Sequence, residues 1–271
     1  MNRREDDRYD RRMSETASTS DAVLTEKRDR ILIVTINRPE AKNAVNAAVS
    51  HGLAAAMDTL DKDPGLSVGI LTGAGGTFCA GMDLKAFARG ENVAVKGRGL
   101  GFTERPPVKP LIAAVEGYAL AGGTELALAT DLIVATTDSA FGIPEVKRGL
   151  VAAGGGLLRL PQRIPYQIAM ELALTGDTLP AQRAHDLGLV NALAEPGRAL
   201  DAAIELASRI TANGPLAVAA TKRVITESWA WSPQDQWREQ LKIIIPVFGS
   251  KDAKEGAVAF AEKRPPNWTG S

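Results

Sequence analysis

Two glutamates stand in places where an acid needs a reason. Glu125 lies in "GYALAGGTELALATD" (117–131), a run otherwise rich in small and apolar residues, and Glu145 follows a proline in "SAFGIPEV" (139–146). A carboxylate among Ala and Leu either turns to solvent or is kept in place for proton transfer. Ala121, Gly122 and Gly123 come just before Glu125. Residues this small let backbone approach a ligand closely. Gly122 falls at an expected helix N-terminus, where its N–H is an unpaired donor aided by the helix dipole. A second small-residue loop, "FCAGMD" (78–83), has the same character. Two donors aimed at one point form an oxyanion hole. Two carboxylates beside it are the parts for moving protons next to a polarised carbonyl. Each part also has a plainer reading, since a glutamate in a first helical turn can serve only the helix dipole.

These residues need strands and helices to hold them. "ILIVTI" (31–36), "SVGILTG" (67–73), "LIAAVEG" (111–117) and "DLIVAT" (131–136) read as strands. Asn46 is a candidate cap for a helix whose stripe is Val49, Leu53, Met57 and Leu60; His51 falls off that stripe and is expected in solvent. A helix is predicted from about Gly122 to Thr130, extended chain over 139–146, and a mobile Gly-rich loop over 88–106. "AAGGGLL" (152–158) reads as a helix-entry turn, because it lacks the Gly-Lys-Ser/Thr ending of a phosphate loop. From there on the pattern is almost entirely helical, with breaks near Pro161, Gly176, Pro196, Gly214 and Pro233. Strands alternating with helices, then helices alone, describe an α/β fold with a helical C-terminal part. The divisions are a disordered tail over 1–20, an α/β core over 21–200 carrying the site, and a helical region over 201–271.

Composition narrows the function. Lys+Arg and Asp+Glu both number 32 in 271 residues, which favours neither nucleic acid nor an anionic membrane as partner. The single cysteine, Cys79, excludes an internal disulfide and fits a reducing, cytoplasmic compartment; it is expected to be a packing residue. His51 and His185 lie far apart, so no metal site is expected. No apolar run approaches a membrane span, and "MNRREDDRYDRR" has neither the apolar stretch of a signal peptide nor the acid-poor character of a transit peptide.

Six stretches taken in order are more specific than any one: "INRPEAKNAVN" (36–46), "TGAGGTFCAGMDL" (72–84), "KPLIAAVEGYALAGGTELALATDLIVA" (109–135), "FGIPEVKRGLVAAGGGLLRLP" (141–161), "LTGDTLPAQRAHDLGLVN" (174–191) and "EGAVAFAEKRPPNW" (255–268). Together they resemble the enoyl-CoA hydratase/isomerase (crotonase) superfamily from about residue 22 to residue 268. The resemblance implies a spiral of β-β-α units followed by a helical trimerisation region, assembled as a homotrimer or homohexamer. It implies oxyanion donors at Met82 and Gly122, catalytic acids at Glu125 and Glu145, and an acyl-CoA thioester as substrate. Coenzyme A would then be part of the substrate, with no separate bound cofactor. Ala80, Asp83, Leu84 and Lys85 around the first oxyanion loop, with Lys263 near the C-terminus, fall on substrate- or CoA-binding positions. Two departures bear on substrate choice: Ala121 stands where many hydratases have a third glycine, and Met82 where they have Ala or Ser. "PEVKRGLVAAGGGLLRLP" is also similar to carnitinyl-CoA dehydratases. The implied activity is hydration of an enoyl-CoA. A carnitinyl-CoA dehydratase-like reaction, an isomerase, hydrolase or decarboxylase on the same scaffold, and a non-catalytic acyl-CoA binder stand as alternatives.

Overall fold

A computed structural model describes residues 22–271; the tail expected over 1–20 lies outside the described residues. Nine strands are present among these: β1 (Val23–Arg28), β2 (Ile31–Ile36), β3 (Val68–Gly73), β4 (Leu111–Val115), β5 (Tyr118–Leu120), β6 (Leu132–Thr136), β7 (Ala140–Gly142), β8 (Thr178–Pro180) and β9 (Ala192–Ala194). The helices are α1 (Ala47–Lys62), α2 (Leu84–Ala88), α3 (Gly122–Leu128), α4 (Gly156–Arg163), α5 (Tyr166–Thr175), α6 (Ala181–Asp186), α7 (Ala199–Thr211), α8 (Pro215–Glu227), α9 (Gln236–Phe248) and α10 (Lys251–Glu262). The larger sheet has the order β1-β2-β3-β4-β6-β9, antiparallel at β1–β2 and parallel elsewhere. Strands β5, β7 and β8 form a second, three-stranded sheet.

The larger sheet is covered on both faces, and its central strands are accordingly apolar almost without interruption. Leu32, Val34 and Ile36 share a core with Val49, Leu53, Met57 and Leu60 of α1. The alternate residues Ile31 and Ile33 point the other way, with Val68, Ile70, Ile112, Ala114 and Val134. They meet Ala199, Ala203 and Ala207, a four-residue repeat of small side chains on α7. That repeat lets α7 lie close to the sheet.

Several expectations change here. Extended chain stops at Gly142, and Pro144–Arg148 is a turn of 3-10 helix with the proline in its first turn. Proline loses nothing there, because that N–H would have no helical acceptor. Strands β5, β8 and β9 have three residues each, too few to show alternation in a sequence. Pro161 does not break the chain but sits inside α4, two residues before its end. The 88–106 segment is anchored rather than loose: Leu100, Phe102 and Thr103 are buried. His51 is exposed, and Asn46 caps α1 by accepting the Val49 N–H at 3.0 Å.

The C-terminal helices are held by a few polar ties. Lys222 Nζ on α8 donates to Asp131 Oδ2 at 2.7 Å and to the Lys109 carbonyl at 3.0 Å. Trp268 Nε1 donates to the Ala212 carbonyl at 2.8 Å. Much apolar surface stays open here, including Trp237, Phe248 and Phe260 on the helices and Trp229 in the 3-10 turn between α8 and α9. No helix of the described residues is long and apolar enough to cross a membrane.

Candidate active site

The site is assembled where loops leaving β2, β3 and β5 meet. Asn43, buried and in left-handed backbone (φ 56°), ties the first two. Its Oδ1 accepts the Arg38 N–H at 2.9 Å, and its Nδ2 donates to the carbonyls of Ala74 at 2.8 Å and Thr77 at 2.6 Å. The third is brought in by strand-like pairing of Cys79 with Ala119. Contact between the two small-residue loops then demands glycine: a Cβ on Gly81 (φ 101°) would lie 2.6 Å from the Ala121 Cβ and 3.3 Å from the Gly122 nitrogen. A Cβ on Gly122 would lie 3.6 Å from the Met82 nitrogen. The backbone nitrogens of Met82 and Gly122 are therefore neighbours, and neither N–H is taken up by a described hydrogen bond. Such a pair of free donors, one at the start of α3, can receive one oxygen. Ala121 takes φ 51° and ψ −124° just before Gly122, a conformation that favours glycine. Thr124 locks the start of α3: its hydroxyl donates to the Ala119 or Gly142 carbonyl, at 2.6 and 2.8 Å, and accepts the Gly142 N–H at 2.9 Å.

Glu125 is buried, one turn into α3. Its Oε1 accepts the Gly156 N–H at 2.9 Å, and the Gly154 N–H also points to the carboxylate. The fit leaves no room for side chains: a Cβ on Gly154 would lie 2.6 Å from Oε2, and one on Gly156 3.0 Å from Cγ. Burial pushes this carboxyl above the usual range, against the pull of the two N–H groups and the Arg159 guanidinium. Glu145 sits half-buried in the 3-10 turn, and its Oε2 is buried with no partner among the described residues. Burial raises its carboxyl too, its own backbone N–H opposes that, and the charge of Glu125 adds to the rise. The two acids thus feel each other across one small space. An apolar hollow of about 360 Å³ opens beside Glu145, lined by Val146, Val151, Leu157, Tyr166 and Met170 among others.

Paired free N–H donors, a buried carboxyl and a half-buried one agree with what the chain is similar to. The family model described as enoyl-CoA hydratase/isomerase matches residues 26–271. The chain belongs to this family. A crystal structure of an enoyl-CoA hydratase from Mycobacterium tuberculosis is 80% identical, superposes with a TM-score of 0.92, and covers 93% of this chain and 100% of its own. The enoyl-CoA hydratase EchA19 from Mycobacterium tuberculosis is 45% identical over 268 residues, 93% of this chain and 98% of that protein. A carnitinyl-CoA dehydratase from Proteus mirabilis is 42% identical over 252 residues, 90% of this chain and 96% of that protein.

The remaining candidates of this crotonase chain divide by position. Ala80 is half-buried in the 78–83 loop, its N–H on the Lys42 carbonyl at 3.0 Å. Asp83 is occupied structurally: Oδ1 caps α2 by accepting the N–H groups of Lys85 and Ala86 at 3.0 and 3.1 Å, and Oδ2 pairs with Arg38 at 3.0 Å. The Ala86 N–H first, then the Arg38 guanidinium and the Lys85 N–H, hold its carboxyl below the usual range against its burial. Leu84 and Lys85 lie exposed at the start of α2, beside Met82 in sequence. Lys263 ends α10 in left-handed backbone, exposed, with no described contact to the two glutamates. Cys79 is a packing residue, buried with its thiol pushed up to about 12. Sequence reasoning missed the role of Gly154 and Gly156. Their run signalled a helix entry, which it is, but nothing local shows that this turn closes on a carboxylate about 30 residues earlier. Arg159 was missed for the same reason.

Proposed function

We propose that this protein is an enoyl-CoA hydratase, adding water reversibly across the 2,3 double bond of an enoyl-CoA thioester. The observation that carries this reading is the pairing of the Met82 and Gly122 nitrogens at the start of the helix that carries Glu125, with Glu145 close enough for the Glu125 charge to raise its carboxyl. The thioester oxygen would accept both N–H bonds, so that negative charge arriving from Cα is stabilised as it develops. Glu125, served by two N–H groups and a guanidinium, fits the ionised base that takes a proton from water as its oxygen bonds to Cβ. Glu145, with an unpartnered buried oxygen and a neighbouring charge, fits the protonated acid that supplies Cα. The sum is one water added, with its proton passed to the pair and the pair's proton passed to carbon.

A carnitinyl-CoA dehydratase-like reaction is the second reading, since such proteins share over two-fifths of the residues. The apolar hollow beside Glu145 favours a hydrocarbon acyl chain over a trimethylammonium group, for which no aromatic cage is present in its lining. Loss of enoyl-thioester absorbance with crotonyl-CoA, compared with crotonobetainyl-CoA, tests both readings. Faster loss with crotonyl-CoA is expected. Faster loss with crotonobetainyl-CoA selects the second reading, and no loss with either refutes hydration.

Lys85 and Lys263 are assigned to the CoA phosphates, and the Ala80–Lys85 backbone to the thioester end. The open apolar surface of α8–α10 and of Tyr166, Leu158 and Leu174 supports a closed homo-oligomer, a trimer or hexamer; the single cysteine supports a reducing, cytoplasmic setting. A monomer mass by light scattering at micromolar concentration would defeat that assembly.

A further inference from the structure

Arg159 touches no reacting atom in the chemistry above, yet it is half-buried against the site. It lies one turn after Gly156 on α4, so its side chain shares a face with the N–H that holds Glu125. It folds back toward the helix start: a Cβ on Gly155 would lie 2.2 Å from Nη1. Gly155 is therefore glycine for two reasons, its φ of 99° and the guanidinium lying over it. Nη2 donates to the Thr103 carbonyl at 2.5 Å. That bond reaches the 99–103 turn, where the Thr103 hydroxyl accepts the Leu100 N–H at 3.1 Å. Leu100 in turn packs its Cδ1 on both halves of the site, 3.0 Å from a Cβ placed on Gly122 and 3.2 Å from one on Gly154. One guanidinium thus touches the cradle of one acid and fixes the wall beside the oxyanion donors.

The charges around the pair are unequal. Facing Glu125 are the guanidinium of Arg159 and the carboxyl of Glu145. Arg163, one turn further along α4, faces Arg159 as a like charge. The charged group that bears on Glu145 is Glu125 itself. The cation therefore favours ionisation of one carboxyl and leaves the other to its burial.

We propose that Arg159 is a positioning residue that splits the two carboxyls into a base and an acid, by setting its charge against the Glu125 cradle while latching the 99–103 turn through Thr103. This rests on the two-acid reading of the site. Arg159→Gln removes the charge, and Arg159→Lys keeps it. In Arg159→Gln the acidic limb of the kcat/KM profile with crotonyl-CoA moves to higher pH, because a base with a raised pKa is lost earlier as pH falls. At pH 6 the loss is about tenfold or more, and it is largely recovered at pH 9. Arg159→Lys restores the limb close to wild type while KM changes through the altered latch. An infrared titration, in which the Glu125 band is identified by difference from Glu125→Gln, reads the same effect without turnover: protonation of Glu125 begins at higher pH in Arg159→Gln. A limb and a band that stay in place, with activity lowered equally at every pH, overturn the proposal, as does an Arg159→Lys variant that behaves like Arg159→Gln. Should Arg159→Gln fail to fold, Arg159→Met is read in the same way. If the wild type hydrates nothing but the infrared shift is present, the role of Arg159 stands and the hydratase reading falls.

Discussion

Glu125 and Glu145 are the same residue in two different settings, and the difference shows how a fold can give identical groups unlike surroundings. Glu125 is carried by helix α3 and meets two glycine N–H groups and the charge of the Arg159 guanidinium. Glu145 is placed by a short 3-10 turn, with one oxygen sealed from water and left without a partner. Both carboxyls are raised by burial, but Glu125 is opposed by two glycine N–H groups and a guanidinium, whereas Glu145 has its own backbone N–H alone to favour a negative charge and the Glu125 charge against it. An acid and a base can thus be made from one side-chain type by choosing what surrounds it.

The comparison breaks most visibly in turnover. Glu125→Gln and Glu145→Gln should each lower kcat by at least about a hundredfold, and the double variant should lose little more, because groups acting as a unit fail together. Near wild-type hydration by either single variant would remove the division of labour altogether.

Next in size is damage to the cradle alone. Gly154→Ala puts a methyl group within 2.6 Å of Glu125 Oε2 and leaves Glu145 untouched. A fall in kcat of about tenfold or more, with the fold intact by circular dichroism, is expected from such a displacement. Unchanged kcat would show that the glycine run serves packing only.

Stability sharpens the contrast. The Glu145 carboxyl titrates above its ordinary value of 4.5 in the folded chain, so between the two values the native state binds more protons than the unfolded state. Stability contributed by this group is present at low pH and is lost as pH rises through the folded value. Glu145→Gln cannot ionise, so its melting temperature at neutral pH should exceed that of wild type by a few degrees, the gap closing well below pH 4.5. Glu125→Gln should show no such gain, since its new NH₂ would confront a backbone N–H where the carboxylate accepted one. Equal melting shifts for both would mean that their surroundings do not differ in the way described.

The smallest effect tests the backbone between the donors. Ala121→Gly relieves the φ of 51° and should stabilise the fold by about 1 kcal/mol, measured by denaturant unfolding, with kcat nearly unchanged. A loss of stability would show that the Ala121 methyl packs more usefully than its conformation costs.

What the sequence disclosed and what it hid follow from range. The long strands, α1 with its Asn46 cap, and the start of α3 announce themselves through local spacing, and their limits fall within a few residues of expectation. Gly122, Glu125 and Glu145 were legible as types suited to chemistry, while Met82 was named through the family resemblance, which implied roles for all four. The cradle was not legible, since Gly154 and Gly156 differ from any helix-entry glycines only by what lies opposite in space. The loop over 88–106 was read as mobile because its glycines outnumber its anchors. Yet Phe102 and Thr103 suffice to dock it, and Gly101 is glycine because the α1 backbone passes close, its Cβ position lying 2.6 Å from the Ser50 carbonyl oxygen.

The tie from Lys222 to Asp131 has a consequence for how the molecule opens. It fastens the first of the last three helices to the sheet, while the buried residues of α9 and α10 are Ile243, Asp252 and Ala259 alone. Segments so sparsely packed open and reclose without the rest of the chain. Their amides should surrender deuterium protection long before those of β3 and β4, and should do so more slowly as protein concentration rises if copies of the chain cover them. The chain would then behave as a firm catalytic body carrying an extension whose rigidity is conferred by its neighbours.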